Sequence, residues 1–228
     1  MLRKLVMGVA GAIALCGVAA AADLPVNKPI YKAVPAPVFN WTGFYVGGTV
    51  GYGWGDNRHF NTFVGVGSQN FDIDGFTGGL TLGVNWQAPG TRWVLGLEFD
   101  ISLSGIKGVL PVAPGFGCAG GCTTDVKWFG TFRGRAGYAF DRALIYVTGG
   151  LAFGEVEGSI IGAFPAGSET VTGWTAGVGG EFAIAPRWSM KLEYLYVDLG
   201  DATYASLFNL IVRDLDFHVV RAGLNYRF

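Results

Sequence analysis

The sequence has little charge and no hydrophobic segment long enough for a membrane helix. Only 14% of its 228 residues are charged, and the formal net charge is −1. With so little charge and no basic patch interleaved with aromatic residues, the chain has no electrostatic basis for binding nucleic acid. After residue 22, no window of about 18 apolar residues runs without polar residues or paired glycines. We therefore exclude a helical membrane protein.

The first residues are typical of a signal peptide. Arg3 and Lys4 precede the short apolar run "LVMGVAGAIAL", and the small residues of "VAAAAD" suit cleavage before Asp23. Residues 23–40 contain four prolines and are predicted to form an extended periplasmic tether. The sequence therefore predicts a signal peptide at 1–22, a Pro-rich tether at 23–40 and a folded domain at 41–228.

Cysteine is also scarce, with three residues in the chain. Cys16 lies within the signal peptide, and Leu15 before it is too bulky for a lipoprotein acceptor site. Cys118 and Cys122 lie in "GFGCAGGCTT". A C-x3-C pair could ligate zinc, but no histidine or second cysteine pair is near, and export to an oxidising compartment favours a disulfide. We expect a Cys118–Cys122 disulfide, no metal site and no cofactor.

Apolar residues and glycine are abundant: half of the chain is hydrophobic, and glycine occupies 38 positions. The apolar residues recur with a period of two. In "WVLGLEFDISL", residues 93–103, the odd positions are apolar, whereas Glu98, Asp100 and Ser102 occupy even positions. Such alternation predicts amphipathic strands. Eight segments follow this pattern, at 44–54, 76–86, 93–103, 126–138, 144–153, 174–184, 188–197 and 216–228.

The connections between these strands alternate in length. Those at "QAPGTR", "DRA" and "APR" are short, and those around 55–72, 105–124, 155–171 and 198–215 are long. The pattern predicts an all-β, eight-stranded antiparallel up-and-down transmembrane barrel with four long outer loops and three short periplasmic turns. A soluble sandwich also alternates. The long strands, with aromatic residues at both ends of the apolar register, favour the barrel in lipid.

The polar register of the strands contains four acids and four bases. A closed lumen requires such a balance, because buried charges are tolerated only when they are paired. We predict an ion-pair network inside the barrel; the alternative is a solvated face with an accidental balance. The eight residues are Glu98, Asp100, Arg133, Arg135, Glu181, Lys191, Glu193 and Arg221.

The last strand, "VVRAGLNYRF", places Leu224, Tyr226 and Phe228 in its apolar register. This alternation with a final aromatic residue resembles the signal by which the assembly machinery recognises outer-membrane barrels. We therefore expect these three residues to act in assembly, and the last strand to close the sheet against the first.

Longer stretches resemble a known family. These are "FNWTGFYVGGTVGYGWG", "GTFRGRAGYAFDRALIYVTGGLAFG", "GWTAGVGGEFAIAPRWSMKLEYLYVDLG" and "HVVRAGLNYRF". They are similar to the small outer-membrane β-barrel proteins of Gram-negative bacteria, often called outer-membrane immunogenic or porin-family proteins. The resemblance implies an eight-stranded barrel in the outer membrane and a role in envelope integrity and in host or environmental contact. It implies no reaction or substrate.

The expected function is therefore that of a barrel with a largely closed lumen, acting in envelope structure and in surface interaction through its long loops. Its expected partners are outer-membrane lipid, lipopolysaccharide, the assembly machinery and a host or environmental ligand; no oligomeric state is predicted. The alternative is a small-solute porin, which is favoured by the room that inward glycines such as Gly47 and Gly96 leave for water. Against it, eight strands leave an interior that side chains fill.

A lipid-A-modifying enzyme is a more distant alternative. Such a hydrolase needs a nucleophile beside a histidine and a carboxylate. The two histidines are His59, in a long connection, and His218, in an outward register. The outward residues of the segments that flank His218 include Trp54, Tyr194 and Tyr196 but no serine. We therefore expect no catalytic residues.

Overall fold

The computed structural model describes residues 39–61, 66–67, 71–110, 121–160, 164–200, 202–204 and 210–228. The predicted signal peptide and most of the predicted tether lie outside these ranges. Within them, no helix is long and apolar enough to cross a membrane. The described residues form ten strands: β1 Gly43–Asn61, β2 Val66–Gly67, β3 Phe71–Gln87, β4 Trp93–Leu110, β5 Cys122–Phe140, β6 Ala143–Ile160, β7 Phe164–Ala185, β8 Trp188–Asp198, β9 Ala202–Tyr204 and β10 Leu210–Arg227.

Eight long strands close into one antiparallel barrel. Each pairs with the next along the chain, and β10 returns to pair with β1. The closing ladder includes the partners Tyr52 and Val220, and it ends where the amide of Phe228 donates to the carbonyl oxygen of Phe44 at 3.1 Å. The short strands β2 and β9 pair with β1 and β10. Closure satisfies the edges of the sheet, as a membrane requires, and confirms the predicted fold class.

The two ends of the barrel differ. At one end, three short turns join β3 to β4, β5 to β6 and β7 to β8, as predicted; we call this the turn end. Gly90 and Asp141, in two of these turns, have φ values of 70° and 56°, in the left-handed region. We call the opposite end, to which the longer connections belong, the loop end.

The predicted apolar register faces outward over the whole barrel. On β4, for example, Leu97 is 51% exposed, whereas its neighbour Glu98 is 2% exposed. Aromatic rings pair at both ends of this apolar surface. Trp93 contacts Tyr138 at the turn end, with ring centroids 5.4 Å apart, and Trp174 contacts Tyr196 at the loop end at 5.3 Å. These are the two aromatic girdles of a membrane barrel.

Strands extend further toward the loop end than the apolar pattern predicts. The expected long connection around 155–171 is reduced to 161–163, because β6 and β7 continue to pair, for example between Glu157 and Ser168. The pattern of apolar residues stops earlier because outward residues beyond the girdle meet water rather than lipid. Backbone pairing does not need that pattern and continues.

A β-bulge in β5 changes which residues face the interior. The pairing with β6 shifts between Val126 and Trp128. The exposed Lys127 and the half-buried Trp128 lie between Val126 and Phe129, which are both fully buried. An extra residue in a bulge breaks the strict alternation of a strand. Val126 and Phe129 therefore both face the interior, although they are three positions apart.

Candidate functional site

The interior of the barrel is the candidate site, and its middle layer is charged. All eight residues of the predicted network point inward, on β4, β5, β7, β8 and β10, and none is more than 4% exposed. Successive side chains of a strand point to opposite faces, so the register that exposes the apolar residues buries these. We call this set the charge layer.

Arg133 joins the carboxylates of the charge layer. Its Nη2 atom contacts Glu98 and lies 2.8 Å from Asp100 Oδ2, and its Nη1 lies 3.1 Å from Glu193 Oε1. Arg221 also contacts two of these carboxylates, Asp100 and Glu193. Its Nη1 lies 2.9 Å from Asp100 Oδ1, and its Nε donates to Glu193 Oε2 at 2.7 Å. Two arginines thus share two carboxylates in short, charge-assisted hydrogen bonds.

Besides Arg133, Glu98 has further partners nearer the turn end. Lys191 Nζ lies 3.0 Å from both of its carboxylate oxygens, and the hydroxyl of Tyr45 donates to Oε2 at 2.6 Å. Arg135 lies between two tyrosine rings, with its guanidinium carbon 5.7 Å from the ring centroid of Tyr45 and 4.0 Å from that of Tyr146. Its Nη2 donates to Glu181 at 2.8 Å. Each buried carboxylate therefore has a cationic partner.

The inward glycines leave less room for water than predicted. A Cβ atom at Gly47 would lie 2.0 Å from Asn225 Oδ1, and one at Gly96 would lie 2.4 Å from Asn85 Oδ1. At two further inward glycines, Gly79 and Gly177, a Cβ would lie 2.3 Å from a backbone carbonyl oxygen. At these four positions, neighbouring atoms already occupy the space that the missing side chains leave.

An apolar cluster fills the interior toward the loop end. We call it the loop-end cluster; sequence reasoning missed it. At its centre, the rings of Phe129 and Phe217 meet edge to face with centroids 5.4 Å apart. Its members are Phe71, Ile73, Ile106, Leu110, Val126, Phe129, Ala152, Val156, Val171, Leu195, Val197, Leu199, Leu215, Phe217 and Val219, all buried. In this part of the barrel, the inward side chains of the described strands are therefore mainly apolar and packed against one another.

A second apolar group closes the turn end. Trp41, which precedes β1, is 0% exposed and packs with inward residues of four strands. Its indole Nε1 donates to the carbonyl oxygen of Asp141 at 3.2 Å, and its amide donates to Gln87 Oε1 at 2.9 Å. The guanidinium of Arg227 lies 4.6 Å from both the Trp41 and Phe39 rings. We call residues 39–41 with Arg227 the turn-end plug.

Outside the lumen, charged side chains lie beyond the loop-end girdle. Four outward aspartates lie side by side on adjacent strands. Asp56 on β1 is the direct partner of Asp72 on β3 and of Asp216 on β10, and Asp216 is in turn the partner of Asp198 on β8. On another part of the rim, Lys127 donates to Asp125 at 2.7 Å and lies 2.8 Å from Glu157. These hydrogen bonds to two carboxylates raise the pKa of Lys127 above its ordinary value.

Several predicted residues have other placements. His218 is outward, where its Nδ1 lies 2.7 Å from the Tyr194 hydroxyl. Cys118 and the side chains of Cys122 and His59 lie outside the described residues, so the disulfide stays a prediction. Leu224, Tyr226 and Phe228 face outward in β10 and at its end. In the part of the chain that the structure describes, no group of three His, Cys, Asp or Glu residues could hold a metal ion.

A closed antiparallel barrel with an apolar band between two aromatic girdles, and with its polar residues inside, is the architecture of an outer-membrane β-barrel protein. The comparisons with known proteins agree. A family model described as outer membrane protein beta-barrel domain matches residues 9–228. The chain belongs to this family, and it is a protein of the Gram-negative outer membrane.

Relatives match nearly the whole chain. The 31 kDa outer-membrane immunogenic protein of Brucella melitensis is 40% identical over 226 residues, which cover 92% of this chain and 93% of that protein. The 22 kDa outer membrane protein of Rhizobium leguminosarum is 31% identical over 234 residues, covering 100% of both. Among solved structures, Neisserial surface protein A is similar with a TM-score of 0.47 and 16% identity, covering 82% of this chain and 98% of that one.

Proposed function

We propose that this barrel acts in envelope structure and in surface interaction, with a lumen that stays closed, rather than as a small-solute porin or an enzyme. The observation that supports this proposal is the occlusion of the interior at three successive levels. The loop-end cluster is apolar, the charge layer is internally paired, and the turn-end plug places a fully buried tryptophan at the other mouth.

Opening such a lumen carries a high energetic cost. A continuous water path has to pass the charge layer, where moving one arginine away leaves a buried carboxylate without its partner. Breaking a buried ion pair in this way costs about 3–5 kcal/mol. The path also has to pass two apolar groups that exclude water. Eight-stranded barrels hold a packed interior, whereas porins with an aqueous channel use about 16 to 18 strands.

Surface interaction is assigned to the loop end. Outer-membrane barrels place short turns in the periplasm and long loops outside, so the loop end faces the exterior. Here β4 continues past the girdle to Leu110, and β5 begins at Cys122 at the same end of the barrel. The Brucella relative is named an immunogenic protein, which agrees with an accessible outer surface. A host or environmental ligand and lipopolysaccharide are the proposed partners there.

Protease accessibility tests this orientation. Protease or antibody added to intact cells should reach segment 111–120 but not Pro89 or Pro186, which lie in turn-end connections. Permeabilised cells provide the control, since all three sites should then be reached. Cleavage at Pro89 in sealed cells would reverse the orientation and assign the loop end to the periplasm.

Conductance tests the closed lumen. Refolded protein in a planar bilayer should be silent or open only rarely. Replacing Arg133 and Arg135 together by methionine should increase the frequency of openings, because the four carboxylates of the charge layer then keep only Lys191 and Arg221 as cationic partners. Lys107→Met is the matched control: Lys107 pairs with Asp125 at the exposed rim, at 3.3 Å, and its loss should leave the recordings silent. A steady, large, voltage-independent conductance from the unmutated protein would favour the porin.

The absence of catalysis is also part of the proposal. The outward His218 is hydrogen-bonded to Tyr194 and has Trp54 and Tyr196 as ring neighbours; none of these three neighbours is a serine, threonine or cysteine. Lipid A incubated with the refolded protein should be recovered unchanged by mass spectrometry. Removal of an acyl chain from lipid A that was lost in His218→Ala would support the enzyme instead.

A further inference from the structure

We propose that a groove on the outer face of the barrel binds one glycerophospholipid of the inner leaflet, with an acyl chain in the groove and its phosphodiester at Arg187. The groove has a volume of about 720 Å³ and crosses the outward surfaces of β8, β10, β1, β3 and β4. Its walls are apolar, and one end lies at the aromatic girdle of the turn end, beside Trp188 and Tyr226.

Missing side chains form the floor of the groove. Gly48 faces outward, and a Cβ atom built there would approach no atom more closely than 3.9 Å. Its cross-strand partners are Leu224 on β10 and Leu80 on β3, and both side chains are exposed. The backbone at Gly48 therefore lies below flanking leucine side chains, and a methylene chain can contact the sheet directly there.

The length of the groove suits an acyl chain. The five strands that it crosses are separated by four spacings of ~4.8 Å, which gives roughly 19 Å. One leaflet occupies half of a hydrocarbon core of ~30 Å. An acyl chain that spans that leaflet covers roughly 15 Å, which is about three of the four strand spacings of the groove, counted from the girdle.

A cation is held at the girdle end. Arg187, in the turn between β7 and β8, is exposed, and its Nη1 donates to the Tyr226 hydroxyl at 3.1 Å. The ring of Tyr226 lines the groove. The guanidinium is thus fixed at the boundary between lipid chains and water, where phosphate groups lie. Its remaining N–H groups match a phosphate oxygen in geometry and charge.

A second depression on the same face provides an internal comparison. It surrounds Gly180, has a volume of about 420 Å³, and is lined by residues of β6, β7, β8 and β10. A Cβ atom at Gly180 would meet nothing within 4 Å. Both glycines therefore tolerate a larger side chain. The groove at Gly48 has the exposed Arg187 at its lining residue Tyr226, whereas the arginines that contact Glu193 of the second depression are buried in the charge layer.

Native mass spectrometry of the refolded full chain with phosphatidylglycerol tests the proposal. The unmutated protein should retain one phosphatidylglycerol molecule. Gly48→Leu should weaken that binding at least tenfold because leucine fills the floor, whereas Gly180→Leu should leave it unchanged. Arg187→Gln should weaken it about tenfold. Diacylglycerol, which lacks the phosphate, should bind more weakly and be insensitive to Arg187→Gln.

Several results would overturn the proposal. Equal losses in Gly48→Leu and Gly180→Leu would indicate unspecific lipid. A dimer mass that Gly48→Leu abolishes would assign the groove to a second copy of this chain. Lipid A retained in preference to phosphatidylglycerol would assign it to the other leaflet.

If Gly48→Leu does not regain the heat-modifiable folded form, Gly48→Ala takes its place, and it should still lower phosphatidylglycerol retention relative to Gly180→Ala.

Discussion

Removing Arg133 should destabilise the barrel mainly by leaving a buried negative charge, and the effect should depend on what remains around it. Arg133 is fully buried and contacts three carboxylates. With methionine there, four acids remain with three bases in the charge layer. Lys191 still pairs with Glu98, and Arg135 with Glu181. Arg221 is then left to compensate two carboxylates alone.

The size of the effect follows from that imbalance. Loss of one partner from a buried ion pair costs about 3–5 kcal/mol, and we expect Arg133→Met to lower the free energy of unfolding by this amount. Asp100→Asn alone removes an acid and should cost a similar amount. The double variant restores equal numbers of acids and bases. Its cost should therefore fall short of the sum of the two single costs by about 1–3 kcal/mol.

Urea unfolding of each variant in lipid vesicles, followed by tryptophan fluorescence and by heat-modifiability on gels, measures these costs. Lys107→Met again serves as the control, because Lys107 is 63% exposed and an exposed ion pair contributes about 0–1 kcal/mol. Additive costs in the double variant would refute the reasoning, since they would mean that Arg133 and Asp100 act independently.

The remaining predictions concern the outer face and the closing strand. Leu97→Arg should lower stability by about 2–4 kcal/mol, because it places a charge near the middle of the lipid face, whereas Leu97→Val should be mild; equal effects would mean that the register is wrong. Phe228→Asp should leave the exported chain in the periplasm, because it removes the final aromatic ring of the apolar register, which packs against Tyr226 in the turn-end girdle, whereas Phe140→Asp, at a turn, should still reach the outer membrane. Asp56→Asn should raise the unfolding midpoint at low salt without divalent cations, because Asp56 directly opposes Asp216 and like charges across strands are unfavourable; salt should remove the gain, and a loss of stability would contradict it.

The sequence was sufficient to predict the barrel because a membrane makes strict demands on a strand. Lipid requires every outward residue of the band to be apolar, so the alternation from Trp93 to Leu103 is unbroken and easily identified. The turn residues near Gly90 and Asp141 are equally informative, because few residue types adopt their backbone angles. Strand ends toward the loops were predicted too short, since beyond the girdle nothing forces the outer face to stay apolar.

The interior was predicted less completely for a related reason. Lys191 and Glu193 identify the inward register of β8 as polar, but the same register continues through Leu195, Val197 and Leu199. In that part of the strand both registers are apolar or aromatic, so alternation no longer distinguishes inside from outside. A change from charged to apolar residues within one inward register is the signal that could have revealed the loop-end cluster. Trp41 gave no such signal, because it precedes the first strand and follows no periodic pattern.

The layered interior also explains why a fifth buried base does not disturb the balance of the charge layer. Arg227 is buried, but it makes no ion pair with the four acids. It is stabilised instead by the carbonyl oxygen of Asn40, which accepts from Nη1 at 2.7 Å, and by the ring faces of Phe39 and Trp41. A cation between aromatic faces and a carbonyl dipole needs no carboxylate. The charge layer can therefore remain at four acids and four bases, while the segment before β1 is held in the mouth of the barrel by the strand that closes it.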